Sequence, residues 1–367
     1  MKVRYSYLPQ QFEKHQEILA EISTFLKTCQ FTLGKEVGQF EESFSKLIGT
    51  SSACGVGSGT DALKLPLKAL GIGYGDEVIT AANTFIATVG AIVEIGAKPV
   101  LVDVTPYYTI DASKIEAAIT KKTKAIMPVH LTGEPADMGP IMNLAEKYNL
   151  PVVEDACQSI LGAWEGKNVG TFGAAAGFSL HPLKNLNVWG DAGVTVTSSK
   201  AILEKLQLLR NHGMKNRDEI EIFGYNSRLD SIQAIVGNWL IKDTHDITNK
   251  RIQNAAMYDQ GLSQIAAVQL PVRRQNVKRV YHLYMFEVEE KHRNALVTHL
   301  INNGVEAKVH YPIPLFLQKA FEPLGYKPGD FPVTEQQAKR IVTLPVDQHL
   351  TTEQVQYAIN CVKKYFA

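Results

Sequence analysis

The chain has 367 residues, of which 45% are hydrophobic and 20% charged, with a formal net charge of +1. That length holds a large core and is expected to divide into two domains. A charge so near zero leaves no electrostatic footprint for nucleic acid or an anionic membrane, so neither is expected as a partner. The four cysteines, Cys29, Cys54, Cys157 and Cys361, are scattered with no CxxC pair. This argues against a metal site or a disulfide framework and for reduced thiols in a cytoplasm. The start, MKVRYSYLPQQFEKHQ, has no apolar signal core, and the run from Val78 to Val104 is broken by Asn83, Glu94, Lys98 and Asp103. No leader and no membrane span are expected.

In chain order, Ile18, Leu19, Ile22, Phe25 and Leu26 lie at helical spacing within residues 10–28. Phe31 to Phe40 reads as a loop around Gly34 and Gly38, and a helical pattern resumes from Val37 to Leu47. Seven short runs then read as buried strands: Ala53–Val56, Glu77–Thr80, Pro99–Val104, Lys124–Val129, Pro151–Glu154, Ala175–Leu180 and Val194–Thr197. Phe85–Ile95, Ile115–Ile119 and Met138–Tyr148 read as helices between them. Such alternation predicts an α/β fold, with a mostly parallel seven-stranded sheet covered by helices on both faces. Residues 1–242 are expected to form this large domain. Residues 243–367 are expected to form a smaller α+β domain. In it, helices are predicted at Ile247–Leu262, Arg293–Asn303, Thr334–Ile341 and Thr352–Tyr365, and strands at Val280–Glu289 and Val305–His310.

In a parallel sheet the ligand lies beyond the carboxyl ends of the strands, so the loops there carry the candidates. Gly57-Ser58-Gly59-Thr60 opens a helix after the first strand; glycines and hydroxyls at a helix start cradle a phosphate or simply cap the helix. Phe85 follows the second strand and, from its own run, reads as core. His130 follows the fourth and reads as a hydrogen-bonded core histidine. Asp155 ends the apolar fifth strand, where a carboxylate needs a cationic partner. Ser179 and Lys184 follow the sixth. Pro182, Gly190 and Gly193 shape the turn that presents Lys184, and a desolvated lysine is a nucleophile toward carbonyls. A lysine, a carboxylate, a phosphate cradle and an aromatic ring together are what pyridoxal 5′-phosphate requires.

The same residues carry a family resemblance. FTLGKEVGQFEESF, GSGTDAL, GDEVITAANTFIAT, VLVDV, PVHLTGEPADM, VVEDACQS, LRNHG, GYNSRLDSIQA and VHYPIP occur in this order around the lysine turn. The chain resembles the DegT/DnrJ/StrS sugar aminotransferases, which have the type I fold of pyridoxal-phosphate enzymes. The resemblance implies that Lys184 is the Schiff-base lysine and that Asp155 meets the pyridine nitrogen. By the same token Gln158 bonds the ring hydroxyl and Phe85 stacks on the ring. Gly59, Thr60 and Ser179 hold the phosphate, which Asn226 reaches from the other subunit of a homodimer with shared sites. The implied reaction moves an amino group from L-glutamate to a sugar aldehyde or ketone destined for cell-surface polysaccharide or lipopolysaccharide.

Where many members carry Gly or Thr-Lys-Asn, this chain has HPLKN, followed by Asn187-Val188-Trp189; Phe316 stands where many have histidine. The HPLKNLNVWGD form is similar to that of the octulosonate-aminating members, so 8-oxo-3-deoxy-manno-octulosonate is the expected acceptor. His181, Trp189, Arg228, His310 and Phe316 are the expected substrate contacts. The alternatives are a nucleotide-linked 3- or 4-keto-6-deoxy sugar as acceptor, a sugar dehydratase, and a regulator that binds the cofactor without catalysis. Lys184 speaks against the dehydratase, since in the family that chemistry goes with histidine at this position.

Overall fold

Strands form where the small and β-branched runs predict them. The computed structural model describes residues 1–367 and contains all seven. They are β1 (Ser52–Val56), β2 (Glu77–Ala81), β3 (Lys98–Val102), β4 (Thr123–Met127), β5 (Val153–Asp155), β6 (Ala175–Ser179) and β7 (Gly193–Thr197). The ladders run β3-β2-β4 and β5-β6-β7-β1. Parallel bridges Ile126–Val152 and Val129–Asp155 join β4 to β5 into one sheet. Strand β7 runs antiparallel to both β6 and β1, and the other pairings are parallel. The carboxyl ends of six strands therefore open on one edge.

The helices are α1 (His15–Phe25), α2 (Lys35–Ile48), α3 (Gly59–Ala69), α4 (Ile86–Glu94), α5 (Ala112–Ala118) and α6 (Met138–Lys147). After them come α7 (Lys200–Leu209), α8 (Ser231–Leu240), α9 (Thr244–Leu262), α10 (Glu290–Asn302), α11 (Pro332–Arg340) and α12 (Thr352–Phe366). Successive strand residues feed opposite faces. Val78, Met127 and Val153 pack with Leu63 of α3 and Ile92 of α4. Their neighbours Ile79, Ile126 and Val152 pack with Ile115 of α5 and Ile141 of α6. Both faces are thus covered, which is why these strands read as continuous apolar runs. No helix is long and apolar enough to cross a membrane.

The last third of the chain departs from the expected pattern in two places. Helix α11 stops at Arg340, and Ile341–Leu344 forms a strand, β9, antiparallel to β8 (Tyr284–Glu287). The run IVTL is mostly β-branched and fully buried, so its packing takes Ile341 out of the helix expected to include it and extends a strand beyond. Val305–His310 forms no strand. The Glu306 amide bonds Val3 O at 2.9 Å and that of Lys308 bonds Thr343 O at 3.0 Å, so its pairing is split between two partners. Tyr258, Tyr284, Phe286, Leu300 and Val362 build the core here, and Val3 joins it from the start of the chain.

Gly193 sits where β7 passes under the start of α3. A Cβ there would press into the Ser58 carbonyl and stand 2.9 Å from the Gly59 nitrogen. Gly193→Ala is expected to cost about 1–3 kcal/mol, the usual penalty for overpacking. Urea unfolding checks this.

Candidate active site

The site begins at the end of β5. Glu154 and Asp155 are both buried, on opposite sides of the strand. Asp155 Oδ2 accepts from the Thr88 hydroxyl at 2.6 Å, and Thr88 is in turn 2.6 Å from the Thr84 hydroxyl. Asp155 Oδ1 accepts the Cys157 amide at 3.1 Å. The carboxylate is therefore fixed in direction before any ligand arrives. Gln158 Oε1 accepts the Thr132 amide at 2.7 Å, which leaves the Gln158 amide nitrogen to donate. His130 is the core histidine expected: Nδ1 accepts the Ala136 amide at 3.0 Å, so Nε2 carries the hydrogen that Glu154 receives at 3.1 Å.

Lys184 lies on the turn after β6, half-buried. Burial pulls its ammonium below the usual lysine range, and the Cys157 thiol and Asp155 carboxylate pull the other way. Burial first and then Asp155 push the Cys157 thiol well above its usual value, while Lys184 lowers it. Asp155, Cys157 and Lys184 thus share one electrostatic environment at the strand ends.

The phosphate-cradle candidates face this point. Ser58 caps α3, accepting the Asp61 amide at 3.1 Å, and the first amides of a helix have no acceptor within it. A Cβ on Gly59 would stand 2.6 Å from Ser179 Cβ and 2.9 Å from its Oγ. Only glycine lets the helix start and the Ser179 hydroxyl meet this closely. Thr60 and Ser179 are both half-buried. Phe85 is not core: it is 51% exposed, with its ring centroid 6.1 Å from that of Tyr311. An open aromatic face, a fixed carboxylate, free helix amides and a partly desolvated lysine suit pyridoxal 5′-phosphate in ring, phosphate and aldehyde alike.

The substrate candidates do not all gather here. His181 is exposed beside Lys184; burial and then the lysine charge lower its pKa, against Asp191. His310 bonds Thr343 Oγ1 at 3.0 Å through Nδ1 and stacks on Tyr5 at 5.8 Å. Burial, then Lys308 and Lys184, bring its pKa down to about 4. Arg228 donates to Asn211 Oδ1 at 3.0 Å, and Asn226 is exposed on the same segment. Phe316 needs correction. It is 2% exposed in an apolar cluster with Phe321 and Phe331, so no sugar touches it. The backbone of Trp189 is bonded by Gln233 and its ring packs edge-on against Phe12, a packing role rather than an open contact.

Three residues missed in the sequence, and Tyr311 of the two-proline loop that could be expected to line a cleft, also belong here. Thr88 holds Asp155, and its i,i+4 spacing from Thr84 at a helix start was the available signal. The Tyr7 hydroxyl donates to the Lys184 carbonyl at 2.8 Å. Burial pushes the Tyr311 phenol up to about 12, opposed by a hydrogen bond from Gln158 and aided by Asp155. His282 has a buried Nδ1 without a partner and feels the Lys184 charge. For Tyr7 and His282, nothing local in the sequence marks the contact; for Tyr311, Pro312 and Pro314 are the signal.

Comparison with known proteins places these features. Residues 13–363 match the DegT/DnrJ/EryC1/StrS aminotransferase family, and the chain belongs to it. A Geobacillus stearothermophilus protein named a pleiotropic regulatory protein is 38% identical, over 100% of this chain and 99% of its own. A UDP-N-acetyl-3-dehydro-α-D-glucosamine 3-aminotransferase of Acidithiobacillus ferrooxidans is 40% identical, covering 92% of this chain and 91% of its own. Among solved structures, S. venezuelae DesV in complex with a ketimine intermediate superposes with a TM-score of 0.96 at 36% identity, over 99% and 98% of the two chains. Bacillus subtilis NtdA, with bound cofactor PMP, gives 0.93 at 32% identity, over 100% and 85%. The protein is a sugar aminotransferase that uses pyridoxal 5′-phosphate, on the type I fold.

His310 supplies a pH signature. Its pKa falls from 6.5 to about 4 on folding, so between those values the unfolded chain binds more protons. This contribution to stability is complete above about pH 6.5 and is lost as pH falls toward 4. Urea midpoints measured across that window are expected to fall with pH, and His310→Gln is expected to flatten the slope.

Proposed function

We propose that this enzyme transfers the amino group of L-glutamate to a keto carbon of a nucleotide-linked sugar, and that Lys184 is its reactive lysine. The observation that carries the proposal is the meeting of Lys184 and a fixed Asp155 at one strand-end cleft. When bound, pyridoxal 5′-phosphate supplies an aldehyde and a ring that takes up the electron pair released at the donor α-carbon. Lys184, with its affinity for protons weakened by burial, takes the proton from that carbon and returns it one position away. Asp155, held by Thr88, presents negative charge to the pyridine nitrogen and favours its protonated form. Phe85 covers one ring face. The amides of Gly59 and Thr60 and the hydroxyl of Ser179 hold the phosphate. The amide nitrogen of Gln158, which also bonds Tyr311, has a second N–H to donate to the ring hydroxyl.

The site is further proposed to be completed by a second copy of the chain. Asn226 is exposed, and the same polar segment displays Phe223, 100% exposed, and Ile220. A bare phenylalanine is costly in water and suits burial in a homodimer. Within each copy we propose a large domain over residues 1–242 and a small one over 243–367, the latter around the Tyr284–Phe286 core.

The nucleotide-linked acceptor draws support from the 3-aminotransferase relative. The octulosonate acceptor rested on the HPLKNLNVWGD form of the lysine turn and on three replaced residues, of which Phe316 is buried and Trp189 packs against Phe12. The form of the turn and His181, exposed beside Lys184, still favour it. Direct competition separates the two: glutamate-loaded enzyme is offered nucleotide-linked 3-keto and 4-keto sugars and 8-oxo-3-deoxy-manno-octulosonate. Turnover of the octulosonate alone would reverse the choice.

Borohydride reduction followed by peptide mapping is expected to place the pyridoxyl group on Lys184, and Lys184→Ala is expected to lose it. A label on another lysine sinks the assignment. Asp155→Asn removes the charge from the ring nitrogen while keeping the size of the side chain. It is expected to lower kcat by about 100-fold or more, a range typical for lost electrostatic stabilisation, with much smaller loss of bound cofactor.

A further inference from the structure

Both main-chain polar groups of Lys184 are held. Its N–H donates to the His181 carbonyl at 2.8 Å and closes the turn. Its carbonyl accepts at 2.8 Å from the hydroxyl of Tyr7, a residue 177 positions earlier. Holding the carbonyl fixes the rotation that decides where the lysine side chain points.

Tyr7 is itself pinned. It is buried, with the Arg251 guanidinium 5.0 Å from its ring centroid and the His349 ring stacked at 6.0 Å. Arg251 donates to Gln348 Oε1 at 3.0 Å and to the Tyr281 carbonyl at 3.2 Å, and so is rigid in turn. The segment before Tyr7 is laced to the far end of the chain. The Val3 amide bonds Gly304 O at 2.8 Å, and the Tyr5 amide bonds Glu306 Oε2 at 2.8 Å. Tyr7 therefore approaches Lys184 from a fixed base rather than a loose terminus.

We propose that Tyr7 is a positioning residue for the amino transfer, its hydroxyl fixing the main chain of Lys184 so that the amine stays in the buried cleft. This rests on the reading of Lys184 as the reactive lysine. Without the hydroxyl, the Lys184 carbonyl turns toward water and the turn loosens. The amine then spends time in solvent, where its charged form is better hydrated. Fewer lysines are uncharged and aimed, and the proton-transfer step slows.

Tyr7→Phe tests this, because it keeps the ring, its packing and the cation above it, and deletes one O–H. Two readouts are needed. The first is steady-state kinetics with glutamate. The second is the pH profile of Lys184 acetylation by acetic anhydride in the cofactor-free full chain, followed by peptide mass spectrometry with exposed Lys200 as control. The expected result is a kcat lower by about fivefold to tenfold, the worth of one hydrogen bond. KM for glutamate is expected to stay within about twofold, since no substrate contact is removed. The Lys184 profile is expected to move to higher pH while that of Lys200 stays put. A Lys184 profile that does not move, or a kcat that does not fall, overturns the proposal. A loss of kcat with an unmoved profile marks a purely structural residue. Borohydride labelling of wild-type enzyme separates the two claims: a label on another lysine ends the Lys184 reading, whereas a label on Lys184 with an unmoved profile ends only the role of Tyr7.

Discussion

The carboxylate of Glu154 is 0% exposed, and a charge in that position is tolerable only if every lone pair is used. Its Oε1 accepts the amides of Phe172 and Gly173, each at 2.8 Å, and its Oε2 accepts the amide of Gly170 at 2.7 Å and His130 Nε2 at 3.1 Å. Four donors on one group tie the end of β5 to the loop that feeds β6. Because neighbours on a strand face opposite ways, seating Glu154 on one side turns Asp155 toward the other. The same knot sets where β6 begins, and hence where Ser179 and the Lys184 turn emerge. A residue outside the chemistry thereby places three residues assigned to it.

Around that fixed point the cleft is built from close backbone approaches. Gly59 meets Ser179, and Gly193 runs beneath Ser58. Charged side chains supply the rest by joining distant parts of the chain. Asp103, just past β3, accepts the Val333 amide at 3.1 Å and both the amide and the hydroxyl of Thr334, at 3.0 and 2.8 Å, at the start of α11. Arg274 bonds Glu134 and Asp137 across the same divide. These links hold the late segment bearing His282, His310 and Tyr311 over the strand ends. The pKa values of His282 and His310 register the result: burial lowers both first, and the Lys184 charge adds to it. Two histidines near one lysine thus have a weakened affinity for protons.

What local pattern can determine is what was legible. The seven strands were readable because parallel strands covered on both faces must be apolar along their whole length. Lys184, Asp155 and Gly59 could be picked out as candidates because each lies at or just past the end of such a strand, where the topology puts ligands. The IVTL strand was not read: Ile341 was given to the helix before it and the other three residues to no element, since so short an apolar run marks a strand only once β8 is there to pair with it. Phe85 read as core because burial of a single aromatic depends on whether other elements cover it, and here only Tyr311 approaches it.

The remaining features depend on residues far apart in sequence that meet only in the folded chain. That Phe316 is sealed under Phe321 and Phe331 while Tyr311, five residues earlier, faces Gln158 follows from how one loop packs. That Tyr7 holds Lys184 follows from the path of the first residues across Gly304 and Glu306. By itself the sequence determined the sheet, the edge on which it opens, and the kinds of group along that edge, because these arise from periodicity and from residues adjacent in the chain. Only the tertiary structure decided which side chains are exposed in the cleft and which are buried beside it, because burial and long-range hydrogen bonds are set by elements that sequence order keeps apart.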